Sequence, residues 1–305
     1  MTIPPYLPFT DGPWRMTMGL MAMKPRDWIE IDEEYDFYVA EKRRLLSERR
    51  AAIFAARPGS EAACRELQDN LAGFLAERFP ERFALEGRTL TRLADGTAWD
   101  LDDGPEKGGE HPLARAGLWV QEDFCLLQSA GEDEPYLLTA ATLSFPTRWK
   151  LAEKVGVPLL AIHDPVPGYG ERLGRPVDRF FQKLSPDRPV WRANWSLIDE
   201  PTLFVPEGHG RKDRDPAITA ENAGERVWLR VERQTLRRLP ESGAVVFGIR
   251  VYRHPLSSLA EAPEAAGQLA RWLGELPEDL ARYKSLPVFG EAVRSYLQKL
   301  ACVAA

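Results

Sequence analysis

Residues 226–252 read RVWLRVERQTLRRLPESGAVVFGIRVY. Two runs rich in aliphatic and aromatic residues, 226–239 and 244–252, flank PESG, whose Pro, Ser and Gly favour a turn. The stretch predicts two antiparallel strands joined by a hairpin. On the first strand Trp228, Arg230, Glu232, Gln234 and Leu236 share one face, and Val227, Leu229, Val231, Arg233, Thr235 and Arg237 the other. Both faces turn polar toward the middle. Buried charge is costly unless paired. The strand therefore lies at an edge laced by ion pairs, or it turns Arg233 or Gln234 toward a bound anionic or polar group. The planar fork of arginine suits a carboxylate.

Outward from this hairpin, 189–198 (PVWRANWSLI) alternates Trp191, Ala193 and Trp195 with Arg192, Asn194 and Ser196. It reads as a strand with one aromatic and one polar face. Residues 118–128 and 136–144 form a second hairpin across GEDEP. In the first of these, Gln121 and Asp123 share a face and Glu122 takes the other. A carboxylate turned inward there needs a partner. Helices are predicted over 32–56, capped by Asp32 with an apolar stripe of Tyr38, Leu45, Leu46 and Ile53, and from Ser60 to Pro80 through Leu67, Leu71, Phe74, Leu75 and Phe79. Residues 1–31 read as an arm lying over the fold, and 87–112 as a polar loop carrying an exposed His111. Residues 253–305 are helical, punctuated by Pro255, Pro263, Pro277 and Pro287 near helix starts. Strands paired by short turns and flanked by helices make an α+β fold with a mainly antiparallel sheet.

Between the hairpins lies Phe145–Tyr169, FPTRWKLAEKVGVPLLAIHDPVPGY. It is expected to open as a short helix at Pro146 and straighten into an apolar run. His163 and Asp164 then precede Pro165 and Pro167, which stiffen the backbone. A histidine so held is a candidate metal ligand, or a residue bonding a backbone carbonyl. His254, at the end of the last strand, and His209, in the loop PEGHGRKDRD, are further candidates.

The chain has 305 residues and a formal net charge of −6, from 40 basic and 46 acidic residues. This argues against general binding to nucleic acid or to an anionic membrane. No apolar run reaches the length of a bilayer span, and prolines interrupt the first twenty residues where a signal peptide needs an apolar helix. A cytoplasmic protein is expected. Cys64, Cys125 and Cys302 fit neither a disulfide framework nor a zinc spacing, and they are too few for an all-cysteine iron–sulfur cluster. The four histidines form no HExxH or HxH pair. A cofactor needing one protein ligand is easier to accommodate, and haem is such a group. Gly168, Gly170 and Gly174 do not have the dinucleotide spacing.

VQEDFCLL, SFPTRWKLAEKVGVPLLAIHDPVP, WRANWS, LFVPEGH and LRVERQTLRRLPESGAVVFGIRVY together resemble the haem-dependent oxidative N-demethylase family, over roughly Pro4 to Leu300. The resemblance implies one haem-b-binding domain over 1–305. It would comprise an N-terminal arm and helices (1–85), a PAS-like core (115–252) and C-terminal helices (253–305). It implies oxidation of a small methylated amine such as dimethylamine by O₂, releasing formaldehyde. Electrons would come from a separate reductase subunit carrying the NADPH, flavin and iron–sulfur chemistry for which this chain has no motif. On this basis His163 is expected as axial ligand, with His254 and His209 as alternatives, and Arg233 and Arg238 as partners of the haem propionates. Gln234 and Thr235 are expected as distal polar contacts, and Glu122 or Glu232 as the carboxylate that orients a protonated amine. A haem-binding sensor or carrier without turnover is the alternative reading.

Overall fold

The computed structural model describes residues 3–9, 12–131 and 134–303. It is α+β. Among the described residues, seven strands form one antiparallel sheet and three form a smaller one. In chain order these are β1 (Met21–Ala22), β2 (Phe54–Ala56), β3 (Phe83–Glu86), β4 (Thr89–Arg92), β5 (Thr97–Asp100), β6 (Asp123–Gln128), β7 (Leu137–Thr142), β8 (Val190–Ile198), β9 (Trp228–Arg238) and β10 (Val245–Pro255). The helices are α1 (Tyr35–Ile53), α2 (Glu61–Arg78), α3 (Pro112–Gly117), α4 (Leu159–Ile162), α5 (Arg175–Lys183), α6 (Ala223–Arg226), α7 (Pro263–Glu275), α8 (Glu278–Tyr283) and α9 (Gly290–Val303).

The predicted hairpin is the spine of the large sheet, whose order is β1-β8-β9-β10-β6-β7-β2. β9 and β10 pair without a break from Val245↔Arg238 to Pro255↔Trp228. β9 is therefore central, flanked by β8 and β10, and not an edge. Because side chains alternate, the register sorts them onto two faces. One face carries Trp191, Trp195, Leu229, Val231, Val246, Phe124 and Leu126. It is covered by the N-terminal arm, by α2, and by the C-terminal helices. The other carries Cys125, Leu127, Leu236, Ile249 and Val251 and is covered by part of α1, by 143–151, and by the segment from Leu159 to Leu184. These are called below the arm face and the α5 face.

At one end of the sheet α1 plugs both layers. Lys42 lies 3.0 Å from Asp123, both with exposure of 1% or less. Its ammonium also donates to the carbonyls of Gly117 and Glu122. The partner that Asp123 requires is thus supplied by helix α1. Removing one member of such a pair costs about 3–5 kcal/mol.

Several elements differ from the expectation. Asp32 sits at the entrance to α1, where its carboxylate accepts the Glu34 N–H at 3.0 Å, and it also accepts from Gln121 at 2.8 Å and from Arg250 at 2.6 Å, which ties the arm to the sheet. Residues 87–112 contain β4 and β5, because Gly87 and Gly96 adopt positive φ and allow tight reversals. His111 is half-buried and caps α3, its Nδ1 accepting from the Leu113 N–H. Phe145–Lys150 is not helical: Thr147 bridges to Val205, and the apolar run after Pro158 coils into the single turn of α4.

Candidate functional site

The polar face foreseen for WRANWS lies on the α5 face of the sheet. Arg192 pairs with Gln234, and Asn194 with Glu232. One strand further, Arg230 is fully buried and holds two loops at once, donating to the carbonyls of Phe145 at 2.8 Å and Leu203 at 3.0 Å. Its Nε also donates to the Thr147 hydroxyl at 2.9 Å, and that hydroxyl donates to Glu232. The second oxygen of Glu232 accepts from Gln234 Nε2 at 2.8 Å. Glu232 is therefore fixed in orientation by neighbours on two elements.

Lys284 reaches the neighbouring strand β8 from the C-terminal helices. Its ammonium donates to the Trp195 carbonyl at 3.0 Å and lies 4.8 Å from the Trp195 ring centre. Burial lowers its pKa to about 8; Glu232 opposes the shift, and Arg148 and Arg192 reinforce it.

His163 stands beside this floor at the C-terminal end of α4. Its Nδ1 lies 2.8 Å from the Leu159 carbonyl, and its ring stacks on Tyr169 with centroids 4.2 Å apart and planes 8° from parallel. The stack is local in origin. Pro165 and Pro167 turn the chain, Gly168 takes φ 74°, and Tyr169 returns over the imidazole. Burial holds the imidazole below the usual histidine pKa, the Leu159 bond opposes this, and the charges of Lys154 and Arg192 add to it. The ring is then neutral near pH 7. A carbonyl partner assigns the proton to Nδ1 and leaves the Nε2 lone pair available, the arrangement common to metal-bound histidines.

Arg192 completes the group. Its charge acts on both His163 and Tyr169. Its buried Nε has no hydrogen-bond partner, and among the described residues its guanidinium makes no ion pair. Burial without a fixed anion lowers its pKa, against the pull of Glu232. A cation so placed calls for an anion from outside the chain.

The other expected residues are dispersed. Gln234 and Glu232 belong to the group just described. Arg233, Thr235 and Glu122 lie on the opposite, arm face. Arg233 is 3.3 Å from Glu30 and donates to the carbonyls of Asp27 and Trp28. Glu122, 1% exposed, accepts the Glu30 N–H at 2.9 Å, and burial raises its pKa to about 7. Arg238 is on the α5 face but donates to the carbonyls of Phe181, Leu184 and Gly243, which fastens α5 to the sheet. His254 is half-buried at the far end of β10. His209 is exposed, stacks on Tyr283 at 4.3 Å, and has its Nδ1 3.2 Å from the Tyr283 carbonyl. Arg192, Lys284, Thr147 and Tyr169 were not foreseen. Only Arg192 carried a signal, the polar half of the WRANWS alternation.

Among the described residues no group of three or more His, Cys, Asp or Glu is placed to hold a metal ion. The site offers instead one free imidazole nitrogen and one unpartnered guanidinium. That donor set fits a group bringing its own equatorial ligands and its own carboxylates, as haem does. Residues 19–294 match the family described as haem-dependent oxidative N-demethylase, alpha subunit-like, and the chain belongs to it.

Proposed function

We propose that this member of the family binds haem b against the α5 face of its sheet and demethylates a small secondary amine such as dimethylamine. The sheet is read as the PAS-like core of a single haem-binding domain. The observation that carries the proposal is the pairing of His163, with Nδ1 committed to Leu159, and Arg192, a half-buried cation with no partner of its own. His163 Nε2 would take the iron and Arg192 a propionate. Arg192 replaces Arg233 and Arg238 in that role because their N–H groups already serve backbone carbonyls.

Bound haem supplies the activation of O₂ and the oxidation of the N-methyl group. Overall, the amine, O₂, two electrons and two protons give the demethylated amine, formaldehyde and water. The remaining work falls to side chains. Glu232 holds the substrate ammonium by a charge-assisted hydrogen bond, and Thr147 and Gln234 keep its oxygens aimed. Glu232 is preferred over Glu122 because it shares a face with His163. Lys284, its pKa lowered to about 8 by burial, is assigned the exchange of a proton with the amine site. Tyr169 and the apolar side chains of 159–184 exclude water. Electrons enter from a reductase subunit, in keeping with an alpha-subunit-like chain.

The test is the absorbance spectrum of haem-supplemented wild type and His163→Ala, oxidised and reduced, with and without dimethylamine. The expected result is a Soret band that the amine perturbs in the wild type and that is lost or strongly shifted in the variant. An unchanged variant spectrum moves the ligand to His209 or His254. No haem binding by the wild type overturns the reading. A stable oxygen complex without formaldehyde release would make the protein a sensor or carrier.

A further inference from the structure

The segment that carries His163 continues into an amphipathic helical stretch, 170–183, whose two sides differ sharply. Val177, Phe181 and Leu184 turn inward and pack on Leu127, Leu236 and Val245 of the sheet. Arg175, Arg179 and Lys183 recur every four residues of α5, so they fall within about 80° on the opposite side, and Arg172 precedes them in the π-helical turn Gly170–Gly174. All four are exposed, and among the described residues none makes an ion pair. Glu171 and Asp178 flank the stripe on one side only. Leu160 packs near Gly170 and Gly174 on the inward side of the stretch and takes no part in the stripe. A row of exposed charges of one sign without ion pairs is a surface that steers a transient partner.

We propose that this stripe is the docking surface for an acidic electron-transfer protein, its four cations steering the approach. The inference rests on the haem reading above. Three observations select this occupant. The chain is alpha-subunit-like and has no motif for a flavin, a nucleotide or an iron–sulfur cluster of its own. The stripe belongs to the same continuous segment as the site, since Tyr169, which stacks on His163 at 4.2 Å, leads directly into the helical stretch that carries it. The whole chain carries a charge of −6, so a local basic stripe selects an acidic protein that engages this one face, not an extended polyanion lying across the molecule. In each transfer the donor's iron–sulfur centre loses one electron and ferric haem becomes ferrous; no atom changes hands.

The test uses a reduced, acidic plant-type two-iron, two-sulfur ferredoxin as probe. Binding to the full chain is measured by calorimetry with and without haem, and haem reduction by stopped flow, at low and high salt. The comparison is between wild type, Arg172→Glu/Arg175→Glu/Arg179→Glu/Lys183→Glu, and a control with Arg15→Glu and Arg43→Glu. Wild type and control should bind with an affinity that falls steeply as salt rises. The fourfold reversal should weaken binding and slow reduction at least about tenfold at low salt and flatten the salt dependence. Reduction by dithionite and the Soret spectrum should stay unchanged. Arg175→Gln/Arg179→Gln, a milder change, should give an intermediate loss if the fourfold variant folds poorly. Equal binding by wild type and reversed stripe, no salt-sensitive binding by wild type, or a preference for anionic vesicles or duplex DNA would each overturn the assignment. Failure to load haem would sink the reading of the site while leaving the binding arm of the test intact.

Discussion

Glu232→Gln isolates the carboxylate assigned to the substrate. The change is nearly isosteric. The amide oxygen can still accept from Thr147, but the amide nitrogen now meets the Gln234 Nε2 donor, which in the wild type bonds a carboxylate oxygen at 2.8 Å. A charge-assisted hydrogen bond to the ammonium is worth about 1.5–3 kcal/mol, so dimethylammonium should bind about 10- to 150-fold more weakly. Lys284 supplies a second signature. Below its pKa of about 8 its positive charge offsets that of Glu232 through space and weakens the pull on the substrate; above it that offset disappears. Wild-type affinity should therefore rise between pH 7 and 9. The rise should be absent in Glu232→Gln, and Lys284→Met should bind at pH 7 as tightly as wild type does at pH 9. The assay is an amine titration of the Soret band at fixed ionic strength, repeated by calorimetry. If Glu232→Gln binds within twofold of wild type, or if Glu122→Gln weakens binding equally, the assignment is wrong.

Glu122→Gln should instead change stability. The carboxyl has its pKa raised to about 7 in the folded chain against an ordinary 4.5, so the folded state holds the proton more tightly. That contribution is complete below pH 4.5 and is lost, to the extent of about 3 kcal/mol, as pH rises through 7. The melting temperature of the variant should gain on wild type from pH 5 to 8, and a constant gap would contradict the linkage. Gly248→Ala places a Cβ 2.6 Å from Thr235 Oγ1 on the central strand pair and should cost about 1–3 kcal/mol. Thr235→Ala removes the clashing atom, so urea titrations of the double variant should recover most of that loss.

The five longer strands of the large sheet were legible because their signals are local, whereas β1 fell in the expected arm and β2 in the expected 32–56 helix. The 226–252 hairpin and the pair around GEDEP each declare themselves within 27 residues and the WRANWS alternation within six, and the register of each hairpin follows from its short turn. Even the mixed polarity of β9 was visible. What it meant was not, because what covers each face comes from distant sequence: the arm, 205 and 206 positions from Arg233, on one side, and Thr147, 85 positions from Glu232, on the other. Nothing near Arg233 says that Trp28 and Asp27 will lend it their carbonyls. Nothing near Lys284, at the end of a short helix, says that it will lie over Trp195. Arg192 was half legible: its face was, its want of a partner was not. The small β3-β4-β5 sheet was hidden by polar composition, since its strands are only four residues each and lean on α2.

The ties between the arm and the sheet have a consequence for how the chain is made. Arg233 reaches Asp27 across 206 positions of sequence, Arg250 reaches Asp32 across 218, and Tyr252 reaches Glu30 across 222. The arm is synthesised first and its partners emerge last. At about 5–20 residues per second the arm waits roughly 10–40 s for its place, with Trp28 and Ile29 uncovered. Closure of the arm face is then among the final steps of folding. A ribosome that pauses between β8 and β10 would hold a nascent chain whose two hydrophobic layers are present but unjoined, and that is the interval in which this protein would depend most on a chaperone.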